Sequence, residues 1–217
     1  MTTAVDENHA ARMDGIYRYQ KHVYDLSRKF YLLGRDRLID TLDVPPGGTV
    51  LEIGCGTGRN LRRVAAAYPG AHLHGLDISR EMLSVAERMT AGIDHKVALE
   101  EGDACRFVST GVFGEQRFDR IFLSYALSMI PDWEKAIAEA RAALKPGGSL
   151  HIVDFGQQEN LPRWFKAALF RWLKAFHVHP RDTLFEVIKQ HAAQTGASSQ
   201  HGALYRGYAW HGVIRAA

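Results

Sequence analysis

The sequence is short of cysteine, of proline and of any long apolar run. Two cysteines in 217 residues, Cys55 and Cys105, are too few and too ill-spaced for a disulfide framework or a cysteine metal site. Both fall in apolar segments, the setting of reduced, buried thiols in a cytosolic protein. No stretch of about 18 apolar residues could cross a bilayer and no early apolar run resembles a signal peptide, so membrane contact is expected to be peripheral. Neither sign of charge dominates: 27 Lys and Arg against 24 Asp and Glu give a net charge of +3, a weak argument for an anionic partner. There is no internal repeat, low-complexity tract, nucleophilic triad or metal-ligand cluster. With 46% hydrophobic and 24% charged residues, the composition is that of one soluble globular domain with room for a small appendage.

What is present centres on residues 49–61, TVLEIGCGTGRNL. Val50, Leu51 and Ile53 read as a short buried strand, Gly54-Cys55-Gly56-Thr57-Gly58 as a turn, and Arg59 onward as a helix. Glycines let the backbone take positive φ and let a ligand approach the main chain. The following helix offers unpaired N–H groups and a positive dipole end. A dinucleotide site would read G-x-G-x-x-G, but here the third glycine comes one residue early. Glu52, just before the turn, would repel a pyrophosphate and attract a cation.

Around this corner the chain alternates strand and helix. Residues 11–42 carry apolar side chains at helical spacing (Ile16, Val23, Leu26, Phe30, Leu33, Leu38) and read as an N-terminal helical cap, 1–42, over a core of 43–217. A helix at 58–67 follows the first strand, then a strand at 71–78 ending in Asp77. Ser79 is placed to cap a helix at 80–90. Strands at 95–103 and 118–126, a helix at 132–143, a tight turn at 145–148 and a strand at 149–155 complete the alternation. Such a pattern implies a parallel, right-handed βαβ sheet. The tail departs from it, with an amphipathic helical insert at 160–180, a helix at 182–194 and a closing antiparallel hairpin through Arg206-Gly207.

The glycine turn with its preceding acid resembles motif I of the class I S-adenosylmethionine-dependent methyltransferases. That resemblance implies an α/β fold of Rossmann-like class I methyltransferase type: a mostly parallel seven-stranded sheet, helices on both faces, and an antiparallel C-terminal hairpin. It also implies S-adenosyl-L-methionine as cofactor, a sulfonium cation with an amino-acid tail. Ligands of open α/β sheets sit at the carboxyl ends of the strands. Glu52, Gly54, Cys55, Gly56 and Gly58 at the end of strand one are then expected to hold the methionine part. Asp77 is expected at the ribose hydroxyls, Ile78 and Met82 at the adenine face, and Asp103-Ala104 at the adenine amine. Leu123, Ser124 and Tyr125 end strand four beside the transferable methyl. Singly, each has a plain alternative: Glu52 a solvated strand end, Asp77 a cap, Asp103 a turn residue, Met82 core.

The strand-four end reads Ser124-Tyr125-Ala126-Leu127 rather than Asn or Asp, Pro-Pro and an aromatic, which argues against a nucleobase acceptor and hence against nucleic acid. The blocks YRYQKHVYDLSRKFYLLGRDRLI (17–39), CGTGRNL (55–61) and RGYAW (206–210) resemble the bacterial diacylglyceryl-homoserine N-methyltransferases of betaine-lipid synthesis. That resemblance implies methylation of a lipid amine to a trimethylammonium, and a partner enzyme that attaches the homoserine headgroup. It sets Tyr24-Asp25 over the cofactor, with Tyr24 in both cofactor contact and catalysis. Independently, a quaternary ammonium product suits aromatic faces, each worth about 0.5–2 kcal/mol by cation–π attraction. Tyr17, Tyr19, Tyr24 and Tyr125 are the candidates, and Tyr24, Asp25, His22 and Tyr125 could relay the proton.

A helix over 161–176 would set Leu161, Trp164, Phe165, Ala168, Leu169, Trp172 and Phe176 on one face and Arg163, Lys166, Arg171 and Lys174 opposite, interrupted by Phe170. This pattern fits binding to an anionic membrane surface, on the cytoplasmic side, and equally fits packing on the sheet. Phosphatidylethanolamine N-methylation, small-molecule O-methylation and a non-catalytic cofactor-binding module are the rival readings.

Overall fold

The short runs at 49–53, 72–77 and 118–124 bury Val50, Leu51, Ile53, Leu73, Leu76, Ile121, Phe122 and Leu123, on both faces of the strands they form. The computed structural model describes residues 32–93, 97–114 and 116–217. The strands are β1 (Thr49–Ile53), β2 (His72–Asp77), β3 (Ala98–Glu101), β4 (Phe118–Ser124), β5 (Leu144–Phe155), β6 (Ser198–Leu204) and β7 (Ala209–Arg215). The helices are α1 (Arg35–Asp40), α2 (Arg59–Ala67), α3 (Arg80–Thr90), α4 (Trp133–Ala142), α5 (Arg163–Ala175) and α6 (Leu184–Ala193). One seven-stranded sheet has the order β3-β2-β1-β4-β5-β7-β6. β7 runs antiparallel to both β5 and β6, so the second strand of the closing hairpin inserts and the first forms the edge. This is the expected class I methyltransferase architecture.

Side chains alternate across the sheet with period two. Leu51, Ile53, Ile121, Leu123, Leu150 and Ile152 enter one core, closed by Ile137 of α4 and Ile188 of α6. Val50, Phe122, Val153 and Phe155 enter the other, closed by Ile39 of α1, Leu61 and Val64 of α2 and Leu173 of α5. Helices thus lie on both faces, and β1, flanked by β2 and β4, is where the strand order reverses. The ligand crevice of such a sheet opens at this reversal.

Several boundaries differ from the expectations. The helical region ending at 42 is broken, because Gly34 takes φ 89° and α1 starts only at Arg35; the stretch before 32 lies outside the described residues. The strand at 95–103 is short, and Asp103 falls beyond it in a turn. The turn at 145–148 is an excursion within β5, whose pairing with β4 jumps from Phe118↔Leu144 to Arg120↔Ser149.

An unforeseen anchor holds the end of the central strands opposite the crevice. Asp119 Oδ2 accepts from Thr49 N (2.8 Å), Thr49 Oγ1 (2.9 Å) and Lys145 Nζ (2.7 Å), joining β4 to β1 and β5. Burial pushes its pKa up, but the hydrogen bonds from Lys145 and Thr49 prevail and hold it below the usual 3.8. A carboxylate with a depressed folded pKa stabilises the fold above its unfolded pKa and loses that contribution as pH falls through the folded value. Asp119→Asn is therefore expected to cost about 1–2 kcal/mol near neutral pH. By urea unfolding, the gap from wild type should be constant down to about pH 5 and close below pH 3.8. A gap that persists unchanged into acid would show that the charge contributes nothing.

Candidate active site

The register of the sheet assembles the site. Ile53 pairs with Leu76 on one side and with Leu123 on the other, so the loop leaving β1 emerges between Asp77 and Ser124. Gly54 N and Cys55 N both donate to Leu76 O, at 2.8 and 3.0 Å, which pins the loop to the end of β2. Gly54 (φ 73°), Gly56 (φ 52°) and Gly58 (φ 75°) all take the left-handed conformation that glycine adopts without a Cβ penalty. At Gly54 space forbids a side chain as well, since a Cβ would lie 2.8 Å from Ala126 Cβ. Gly58 caps α2 with no side-chain hydrogen bond to its first turn, leaving the positive end of that helix uncapped by side chains.

Asp77 is bonded to the loop. Its Oδ2 accepts from Gly56 N at 2.7 Å and its Oδ1 from Ser79 N at 3.0 Å. Ser79 Oγ in turn accepts from Met82 N at 3.4 Å, so the expected cap of α3 is present. Glu52 is not a solvated strand end: it is 1% exposed and accepts from Asn60 Nδ2 of α2 at 2.7 Å. It occupies the sheet face that Val50 and Phe122 also share, where a charge needs a polar partner, and Asn60 supplies one.

Glu52 and the glycine loop line one cavity of ≈ 240 Å³, while Asp77 holds the loop from outside the wall. Of the expected residues, Glu52, Gly54, Cys55, Gly56 and Ser124 line it. Leu32, Arg35, Arg59 and Asn60, none expected in this role, complete much of the wall. Asn60 and Arg59 lie within CGTGRNL, and a polar residue on the buried face of α2 was the available signal. Arg35 had no such signal, because its place follows from the left-handed turn at Gly34. Ser124 Oγ is buried and has no hydrogen-bond partner among the described residues, which leaves a hydroxyl for a ligand at the end of β4.

The other expected residues sit outside the wall. Met82 (4% exposed) and Leu123 (0%) are core side chains. Asp103 accepts from Cys105 N at 2.9 Å and pairs with Arg106 at 3.4 Å, the behaviour of a turn residue. Ile78 and Ala104 do not line the cavity, and Gly58 shapes the loop rather than the wall. Tyr125 corrects the expectation of a base or an aromatic face at the methyl. Its left-handed turn (φ 57°) sends the ring against Phe155 (4.7 Å, 71°), and its hydroxyl donates to Leu33 O at 2.5 Å. Burial, then the charge of Asp154, pushes its pKa far up, so it stays protonated and anchors the segment before α1. Tyr17, Tyr19, His22, Tyr24 and Asp25 lie outside the described residues.

The charge pattern suits a zwitterion. Glu52 and Asp77 provide negative charge beside the loop, while Arg35 and Arg59 provide positive charge on the wall. Burial first, then Asp77 and Glu52, raises the Cys55 thiol well above its usual range, so it is no nucleophile. Cys105 is pushed up to about 12 by burial and Asp103. His151 is lowered to about 3 by burial, then by Arg120 and Arg215, and sits neutral within β5 beside Ser149 Oγ at 2.9 Å. Among the described residues no group of three or more His, Cys, Asp or Glu could hold a metal.

Comparison with known proteins agrees with this geometry. A family model described as a methyltransferase domain matches residues 50–148. The chain is 38% identical over 116 residues to phosphoethanolamine N-methyltransferase 2 of Caenorhabditis elegans, covering 53% of this chain and 25% of that protein. It is 31% identical over 152 residues to demethylmenaquinone methyltransferase of Listeria monocytogenes, covering 68% of this chain and 62% of that protein. The chain thus spans from a quarter to under two-thirds of the length of these curated relatives. Among solved structures, a methyltransferase of Haloferax volcanii in complex with the Trm112 activator superposes with TM-score 0.73 at 16% identity, over 93% of this chain and 97% of that one. Phosphoethanolamine N-methyltransferase 2 of Haemonchus contortus, solved with S-adenosyl-L-methionine, gives TM-score 0.61 at 25% identity, over 78% and 38%.

The loop's dependence on Asp77 and Gly54 is open to test. Asp77→Ala removes both hydrogen bonds, and Gly54→Ala adds a strained Cβ against Ala126. Each is expected to weaken S-adenosylhomocysteine binding by at least about 10-fold in calorimetric titration, the scale of 1.4 kcal/mol. Affinity retained in both variants would rule out this loop as the cofactor site.

Proposed function

We propose that this protein, which carries a class I S-adenosylmethionine-dependent methyltransferase domain, methylates the amine headgroup of a membrane lipid, diacylglyceryl-homoserine foremost. The observation that carries the reading is the meeting of the glycine loop, buried Glu52 and the unpartnered Ser124 hydroxyl in one cavity at the strand-order reversal. These residues fit the cofactor: Gly54 and Gly56 bring backbone to it, and Glu52 and Asp77 bring negative charge. When bound, it supplies a methyl group on a positively charged sulfur.

The chain's own contribution is then positioning and exclusion of water. Leu32 and Met89 close the wall with apolar surface. Tyr125 holds Leu33 by its carbonyl and so fixes the neighbouring Leu32 and Arg35. Neither Tyr125, protonated, nor His151, within β5, takes the acceptor's proton. Tyr24, Asp25 and His22 are the proposed acceptors of it, and Tyr17 and Tyr24 the proposed aromatic faces for the methylated nitrogen. Ile78, Met82, Asp103 and Ala104 remain the proposed adenine side, reached through backbone where the side chain is core.

Two observations support an amine lipid. The C. elegans relative is named for phosphoethanolamine, an amine acceptor. The second is the surface of α5. The face expected to be continuous divides: Phe165, Leu169 and Leu173 pack inward with Phe170 and Phe176, while Trp164 stands 73% and Trp172 36% exposed. Phe170 does not break the basic face, since it is half-buried with Lys166 Nζ 5.3 Å from its ring centre. Exposed tryptophan beside Arg163, Lys166, Arg171 and Lys174 suits an anionic bilayer, each cation contributing about 1 kcal/mol. No helix among the described residues is long and apolar enough to cross a membrane. The enzyme that attaches the homoserine headgroup is the proposed partner, on the cytoplasmic face of the membrane. A second reading, methylation of demethylmenaquinone, is favoured by the Listeria relative.

Labelled cofactor incubated with vesicles bearing diacylglyceryl-homoserine, phosphatidylethanolamine or demethylmenaquinone separates these. Label is expected in the homoserine lipid; label in either other compound alone defeats the choice. The protein should co-sediment with anionic vesicles at low salt and be released by high salt. Trp164→Ala should lower that partition by about 10-fold. A protein that ignores vesicles at every salt concentration takes a soluble acceptor.

A further inference from the structure

We propose that the β6 edge of the sheet is a dimer interface that takes a second copy of this chain. The two β6 strands pair antiparallel about a two-fold axis, so that one sheet runs through both molecules. The inference is independent of the acceptor and of the lipid reading above.

Among the described residues β6 pairs with β7 on one side and with no strand on the other. A strand so placed offers a row of N–H and C=O groups, and folds commonly blunt it with charge, proline, a bulge or short length. The two edges of this sheet differ in that respect. β3 has four residues, ALEE, with Glu100 and Glu101 exposed, and Arg80 of α3 pairs with Glu101. Self-pairing there would gather the acids of both copies along one seam. β6 has seven residues, no proline, and an unbroken register with β7 from Ser198↔Arg215 to Leu204↔Ala209. It lies within residues 190–205, which contain no Asp, Glu, Lys or Arg in a chain that is 24% charged. The edge is also held firm. Phe185 of α6 stacks on Trp210 of β7 (4.1 Å, 20°) and meets His201 of β6 (4.8 Å), so helix and hairpin form one packed unit. An ordered edge has little entropy left to lose on pairing.

Symmetry selects the occupant. Antiparallel pairing of a strand with its own copy is two-fold by construction, and a two-fold interface closes the assembly at two chains. Full overlap centres on His201, setting Ser198 opposite Leu204 of the second copy, Ser199 opposite Ala203 and Gln200 opposite Gly202. No formal charge meets its like along that seam. Tyr205, 49% exposed at the end of β6, is carried toward Ala197 of the second copy and so gains cover. β7, β5 and β4 stand between β6 and the crevice strand β1, so the seam and the cavity do not compete for the same surface. The axis is perpendicular to the sheet and maps each face onto itself, which puts the α5 helices of both copies on one face of the joined sheet.

Sedimentation velocity of the whole chain from about 1 to 100 µM should show a reversible shift from 24.3 kDa toward twice that mass, with a Kd on the order of 10 µM, as for small interfaces. Ser198→Lys combined with Gln200→Lys sets ammonium groups of both copies on the seam, at exposed positions. It should raise Kd by at least about 10-fold with an unchanged circular dichroism spectrum. Glu100→Lys, on the other edge, should leave Kd as it is. If the lysine variant does not fold, hydrogen exchange of the wild type decides: β6 amides should exchange more slowly at the high concentration than at the low one. A chain that stays monomeric throughout overturns the proposal. So does a dimer that the paired lysines leave intact, one whose β6 amides are indifferent to concentration, or one that Glu100→Lys dissolves.

Discussion

The carboxylate of Asp77 does more for this fold's chemistry than any other group. It takes one hydrogen bond from Gly56 in the loop and one from Ser79 at the start of α3. Those two N–H groups belong to segments 23 residues apart, and a single side chain holds both at the carboxyl end of β2. A loop of three left-handed glycines has high conformational entropy when free. Bonds from Gly54 and Cys55 to Leu76 O restrain its first half, and Asp77 restrains its second.

A second constraint concerns charge. Glu52 is buried where a hydrophobic side chain would pack more cheaply, and a carboxylate there is tolerated only with a hydrogen-bonding partner. Asn60 meets it from α2, so the helix that follows the loop is also the helix that supports the acid before it. Burial first, then the negative charge of Asp77 and Glu52, keeps Cys55 a thiol although it lines the cavity. Loop, acid and helix thus form one unit, and its demands account for why polar Asn60 stands with Leu61 and Val64 on the buried face of α2.

Much of this was legible in the residues. Short runs rich in Val, Leu, Ile and Phe, alternating with helical segments, located the parallel strands, and Gly-x-Gly-x-Gly after a strand located the crevice. What escaped was whatever depends on distant parts of the chain meeting. Leu123 and Met82 belong to apolar segments, and only the tertiary fold tells that their side chains face core rather than cavity. The apolar residues of α5 fell on one broad face of a helical wheel, but the helix rests on the protein through Phe165, Leu169 and Leu173, leaving Trp164 outside. Asp119 and Arg35 carry no local mark, since one is defined by Thr49 and Lys145 and the other by the close approach of Gly34 to β5.

The position of Tyr125 ties the cavity to that outer helix. A bulky residue at φ 57° is strained, and such strain persists only where surroundings over-determine it. Here the ring meets Phe155 (4.7 Å), Phe155 meets Tyr208 (6.1 Å), Tyr208 meets Phe165 (6.4 Å) and Phe165 meets Trp164 (5.9 Å). Close-packed rings transmit displacement because there is no void to absorb it. A shift of α5 at its exposed tryptophan is therefore felt at Tyr125, and through its hydroxyl at Leu33 and the adjoining wall of the cavity. The exposed face of α5 and the wall of the cavity are, by packing alone, ends of one column of rings.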